Sequence, residues 1–155
     1  PMSSIHLDKA VNYAASKGSV MFCAAGNSGP ATDIMFPAKY SSTISIAAID
    51  INFNRTSFSC SGPSLDFLAP GKDILSCVPS NRYAKLSGTS MSNPFAVGCA
   101  SLAMSCAGRR LNRFELVEAF KKTCKSLSNP VWSGNKNYEG YGILYPIEPH
   151  HLHNI

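Results

Sequence analysis

The sequence predicts an α/β domain built on a parallel sheet. Two observations carry that expectation. The first is a short apolar run, Ser19-Val20-Met21-Phe22-Cys23-Ala24-Ala25, closed by Gly26-Asn27. An apolar segment of that length, bounded by turn residues, suits a strand buried on both faces. The second is the set of helical patterns around it, residues 4–17 in front and a long apolar stretch at 90–107 behind. Helices of that kind are what cover a sheet with two buried faces.

Taken in order, residues 4–17 read as an amphipathic helix with Ser4 as its cap and Gly18 as its stop. Strand 19–25 follows. Residues 28–42 form a loop carrying Gly29, Pro30 and Pro37, and 43–49 is a weakly alternating strand. From 54 to 87 the chain reads as short strands broken by Gly62-Pro63, Pro70-Gly71 and Pro79. A helix over 90–107 ends near Gly108. The next, over about 113–125, has Asn112 as cap with Glu115 three residues on, and Leu116, Phe120 and Cys124 mark its buried face. Residues 128–142 are rich in turns, and Pro146, Pro149 and three histidines read as a tail.

Composition narrows the function classes. The 155 residues suit one domain, and 45% hydrophobic content is enough for a core. The net charge of +5 is spread along the chain, with Arg109-Arg110 and Lys121-Lys122 the only basic doublets. Nucleic-acid binding calls for a clustered basic face. No apolar run approaches the ~20 residues of a membrane span. No leader segment is evident, and Pro1 in first place suggests processing or excision from a longer chain. The six cysteines lack metal-site spacing and read as small buried hydrophobes, with their pairing open. His150, His151 and His153 read as a solvated tail, with metal binding the other reading.

Two segments carry chemistry. In Gly88-Thr89-Ser90-Met91-Ser92-Asn93-Pro94 a serine stands where a glycine turn enters the apolar helix. The first turn of a helix has unpaired N–H groups and the positive end of the dipole, which favour developing negative charge. Ser90 is therefore a candidate nucleophile. The alternative is that Thr89 or Ser90 is a plain helix cap. In Ala24-Ala25-Gly26-Asn27 an amide side chain stands at the carboxyl end of a strand, where α/β sheets bind ligands. Such a donor to an oxyanion lowers a barrier by about 3–4 kcal/mol. The alternative for Asn27 is a turn asparagine.

Together these segments resemble the subtilisin-like serine proteases, the subtilases. The likeness continues through Phe36-Pro37-Ala38-Lys39-Tyr40, Ile44 to Asp50, Thr56-Ser57-Phe58-Ser59, Gly62-Pro63, Asp66 to Gly71 and Gly140-Tyr141-Gly142-Ile143-Leu144, in the family's order. It implies a three-layer subtilisin-like domain, with residues 1–146 forming the C-terminal half of a peptidase domain and 147–155 a tail. It implies Ser90 as nucleophile, with the Asn27 amide and the Ser90 N–H as oxyanion hole. Ala24, Ala25, Gly26 and Ser28 would border the pocket for the side chain before the cut. Met35 would stand at the floor of that pocket, favouring small or medium apolar side chains, and Leu86 would border the leaving-group side.

The departure is as informative. A serine nucleophile needs a base, and the base an orienting carboxylate. The family's Asp-Ser/Thr-Gly and His-Gly-Thr motifs are absent from this sequence. His6 falls where the family has an ordinary surface helix. The expectation is thus a serine endopeptidase subunit or fragment, inactive by itself, with aspartate and histidine supplied by a missing N-terminal half or a partner chain. A non-catalytic binding or structural module derived from a subtilase is the other class. No metal ligands are assigned in this chain and no cofactor is certain, with structural calcium left open for the complete enzyme. The resemblance implies a secreted protein, while the sequence itself leaves the compartment unknown. The expected partners are the half bearing aspartate and histidine and a peptide or protein substrate, with no nucleic acid and no membrane span.

Overall fold

The computed structural model describes residues 3–146, so the histidine tail lies outside the described residues. The elements run α1 (Ile5–Ser16), β1 (Met21–Ala24), β2 (Thr43–Ile49), β3 (Phe67–Pro70), β4 (Ile74–Val78), β5 (Arg82–Leu86), α2 (Thr89–Ala107), α3 (Arg113–Thr123) and α4 (Lys136–Glu139). The expected caps are in place. Ser4 accepts the Leu7 N–H at 3.1 Å. Asn112 and Glu115 close a reciprocal capping box on α3. Gly108 ends α2 in the left-handed conformation.

The main sheet is parallel, in the order β1-β2-β3. The closing segment lies beside β3, where Ile143 bridges Leu68 in parallel. All seven residues of β2 are buried, which explains why its alternation in the sequence is weak: both faces are covered. Successive side chains still point to opposite faces. Ile44, Ile46, Phe67 and Ala69 pack with Ala96, Cys99, Ala100 and Ala103 of α2 and with Leu116 and Phe120 of α3. Ala47, Ile49 and Leu68 pack on the other side with Ile34, Cys60, Leu65, Leu127 and Ile143. Phe67 meets Phe120 edge-on, ring centroids 5.6 Å apart. Burying such a side chain stabilises the fold by about 1.5–3 kcal/mol.

β4 and β5 form a separate antiparallel hairpin. Its turn places Ser80 and Asn81 at positive φ, which asparagine tolerates better than most residues. The six cysteines are free thiols in the structure. Cys99 and Cys60 are buried as small hydrophobes, whereas Cys77 on β4 and Cys106, set in an apolar stretch of sequence on α2, are exposed, contrary to the expectation of burial. Burial pushes the Cys23 and Cys99 thiols up, which keeps them protonated.

Two surfaces are left bare among the described residues. β1 is an edge, paired only with β2. α2 exposes Phe95, Val97 and Leu102, at 39%, 43% and 53%. No helix of the described residues is long and apolar enough to cross a membrane.

Candidate active site

The site is assembled where β1 and the start of α2 meet. β1 ends at Ala24, and Ala25 continues the ladder with its N–H on the Ile46 carbonyl. Gly26 then turns the chain at φ +112°, a conformation that favours glycine. A Cβ at Gly26 would stand 2.8 Å from the Met35 side chain and 2.9 Å from Cys60 Sγ. The turn is thus closed from behind by two sulfur-bearing side chains, and Asn27 is pushed into the open.

Thr89 fastens this turn to α2. Its backbone N–H and its hydroxyl both donate to Asn27 Oδ1, at 2.9 and 3.0 Å, and its hydroxyl accepts the Gly26 N–H at 3.3 Å. Thr89 is fully buried. The amide oxygen of Asn27 is therefore occupied, and Nδ2 is the group left to donate outward. Gly88, not Thr89 or Ser90, is the N-cap residue, and the side chain that takes up a first-turn N–H comes from outside the helix, Asn27. The plain-cap alternative for Thr89 and Ser90 is not what the fold uses.

The two candidate donors lie near one point, with Met91 Sδ 3.8 Å from it. A point one Cβ away from Gly88 lies 3.5 Å from Asn27 Nδ2 and 3.8 Å from the Ser90 backbone nitrogen. The Ser90 N–H belongs to the first turn of α2, where N–H groups have no intrahelical acceptor. Glycine at position 88 keeps the space between these donors empty. Ser90 itself is exposed, and its hydroxyl makes no hydrogen bond among the described residues.

Gly71 fixes the helix start from below, its carbonyl accepting the Gly88 N–H at 2.8 Å. A Cβ on Gly71 would stand 2.0 Å from Ser92 Oγ and 2.7 Å from the Ala48 methyl. We expect Gly71→Ala to destabilise the fold by about 1–3 kcal/mol through overpacking. Thermal unfolding checks this, and an unchanged melting temperature would show that the contact gives way cheaply.

The remaining expected residues are placed as follows. Ala24 is half-buried and Ser28 exposed, both flanking the turn. Ala25 is fully buried in the core, so only its backbone can border a surface pocket. Met35 donates its N–H to the Ala25 carbonyl at 2.9 Å, which lays its side chain behind Gly26. Leu86 ends β5, is 45% exposed, and lies two residues before Gly88. His6, on α1, is exposed and bonds neither Ser90 nor Asn27. No group of three or more histidine, cysteine, aspartate or glutamate side chains that could hold a metal occurs among the described residues. Local sequence gives no role to Gly71 and only a cap reading to Thr89, whose one signal is its place inside the serine motif.

The model of the subtilase family matches residues 2–142. This chain belongs to the subtilase family. It is 43% identical over 138 residues to the thermophilic serine proteinase of Bacillus sp. (strain AK1), covering 89% of this chain and 32% of that protein. It is 37% identical over 147 residues to subtilisin DY of Bacillus licheniformis, covering 93% and 51%. The solved structure of the prenylagaramide maturation protease PagA superposes with a TM-score of 0.84 at 26% identity, over 97% of this chain and 57% of that one. The α/β fold is thus subtilisin-like, and the relatives are serine proteases. This subtilase chain spans about a third of the length of the first of these curated relatives and about half of the second.

Proposed function

We propose that this chain is the nucleophile-bearing part of a serine endopeptidase, completed by a polypeptide segment that carries the catalytic aspartate and histidine. The observation that carries the reading is the Thr89 clamp. It commits the Asn27 oxygen inward and leaves Nδ2 within 4 Å of the point that the Ser90 N–H also approaches. In the completed site Ser90 Oγ attacks the scissile carbonyl and a histidine takes its proton. The carbonyl oxygen becomes an oxyanion held by Asn27 Nδ2 and the Ser90 N–H. The histidine then protonates the leaving amine, and water repeats the sequence on the acyl-enzyme.

Three features support a missing neighbour on the β1 side. The outer edge of β1 is unpaired among the described residues. On the flank of α2 beside β1, Val97 is exposed next to Met104 and Phe22. Asn93, three residues beyond Ser90, donates Nδ2 to the Phe22 carbonyl of β1 at 3.3 Å, while its buried Oδ1 has no partner. A buried acceptor without a donor costs free energy and calls for an explanation. A strand laid along β1 would supply N–H groups there and cover the groove between Phe22, Val97 and Met104, which Lys17 and Arg110 also line. The clamp itself also ties β1 to α2, but a purely structural module has no use for an exposed Ser90 beside the outward amide of Asn27, and that favours the enzyme over the alternative.

Met35 gives the substrate reading. Its side chain fills the space behind Gly26, which favours small or medium apolar residues before the cut. We expect Met35→Gly to shift preference toward larger side chains in a peptide library, by about tenfold in kcat/KM for aromatic over alanine-type residues. An unchanged preference would remove Met35 from the pocket. The proposed function is tested by reconstituting the chain with the polypeptide bearing aspartate and histidine and assaying cleavage of a denatured protein. Hydrolysis that requires both parts and is lost in Ser90→Ala is the expected result. Absence of any cleavage by the reconstituted complex would favour the non-catalytic module.

A further inference from the structure

The turn that carries Asn27 is held on its far side by residues 58–60. Gly29 donates to the Phe58 carbonyl at 2.8 Å, and Cys60 donates its N–H to the Gly26 carbonyl at 3.0 Å. These two bonds are backbone to backbone and indifferent to side-chain identity. The third is not. Ser28, the residue directly after Asn27, donates its N–H to Cys60 Sγ at 3.4 Å. The same sulfur stands 2.9 Å from where a Gly26 Cβ would be, so it packs directly under the turn. Cys60 is fully buried, and its carbonyl and that of Ser59 are gripped by the Arg55 guanidinium. Arg55 in turn reaches the Tyr138 carbonyl at 2.9 Å and makes no ion pair with a carboxylate among the described residues, and burial lowers its pKa to about 10. Its three bonds go to carbonyls, two of them on Ser59 and Cys60, and so tie the Cys60 backbone to the Tyr138 segment.

We propose that Cys60 is a positioning residue for catalysis: its sulfur accepts the Ser28 N–H and supports Gly26, and so fixes the height and tilt of the Asn27 amide. The proposal rests on the reading of Asn27 as an oxyanion donor. Thr89 orients that amide from the α2 side, and Cys60 sets its backbone from the β2 side. Removing the sulfur leaves the Ser28 N–H without its acceptor and opens a void under Gly26. The chain can then relax into the void, carrying Nδ2 away from a position that tolerates little error. A displacement of about 1 Å in a positioning group costs up to ~10²-fold in rate.

The test uses the reconstituted protease and three variants. Cys60→Ala is expected to lower kcat about tenfold or more with KM nearly unchanged, because the lost interaction is felt only when the oxyanion forms. Cys60→Ser retains an acceptor in nearly the same place and is expected to stay within about threefold of the parent. Cys60→Val removes the acceptor and crowds Gly26, and is expected to fall furthest. Amide exchange at Ser28 gives a second readout that needs no turnover: faster in Cys60→Ala, parental in Cys60→Ser. Equal losses in Cys60→Ala and Cys60→Ser, or a parental kcat and a parental Ser28 exchange rate in Cys60→Ala, would overturn the proposal. A parent complex without Ser90-dependent hydrolysis would instead overturn the protease reading, and the exchange data would still decide whether Cys60 holds the turn.

Discussion

Assayed by itself, this chain is expected to hydrolyse peptides no faster than the residual ~10³–10⁴-fold over water that binding and an oxyanion hole provide without a base. The reason is in the geometry. The Ser90 hydroxyl has no hydrogen-bond partner among the described residues, and His6, the histidine among them, sits exposed on α1. A serine hydroxyl without an adjacent base is a poor nucleophile near neutral pH. Such a rate is invisible in an ordinary protease assay. Single-turnover measurement with an activated ester, which needs less assistance, sets the upper bound. Robust peptide hydrolysis by the chain alone, abolished by Ser90→Ala, would mean that a base exists within it.

In the reconstituted enzyme, Asn27→Ala is expected to lower kcat by about 10²–10³ with little change in KM, a magnitude known from subtilisin itself rather than drawn from this geometry. The direction does follow from the structure. Nδ2 is held outward because both lone-pair directions of the amide oxygen are taken by Thr89. It donates to charge that exists only in the transition state, so the loss falls on kcat. Asn27→Asp is expected to be at least as damaging. It replaces the donor by an acceptor and puts negative charge where negative charge must develop. A parental kcat in Asn27→Ala, with Ser90 still essential, would remove Asn27 from the mechanism.

Much of the architecture was legible in the sequence because local chemistry marks it. Ser4, Gly18, Asn112 with Glu115, and Gly108 are boundary residues whose side chains or backbone freedom act within one turn of their own position. The doubly buried strand 43–49 was legible as a strand, and its seven covered residues account for its weak alternation. The pairing of β4 with β5 was not read, although Pro79-Ser80-Asn81 marks the turn between them, because pairing is a tertiary choice. Cysteines were the poorest guide. Cys106 lies among apolar neighbours in sequence but on the outer face of its helix, while Cys60 lies between two serines and is fully buried. Its environment is made by Gly26 and Ser28, more than thirty positions away, and no local pattern announces that. At the site, residue types made Ser90 and Asn27 candidates beside plainer cap and turn readings, and the resemblance to subtilases supplied their proposed roles. What connects them, the Thr89 hydroxyl, emerges only when α2 docks against the end of β1.

The central claim is that Ser90 is a nucleophile activated only when the domain is completed. Labelling with diisopropyl fluorophosphate, which transfers its phosphoryl group to an activated serine with loss of fluoride, tests it most directly. The reconstituted complex should take up one label, located by peptide mass spectrometry on Ser90, with labelling slowed in Asn27→Ala and absent in Ser90→Ala. The chain without its complementing segment should remain unlabelled over the same interval. Hydrolytic activity in the complex with the label on another serine, or with none on Ser90, would contradict the account.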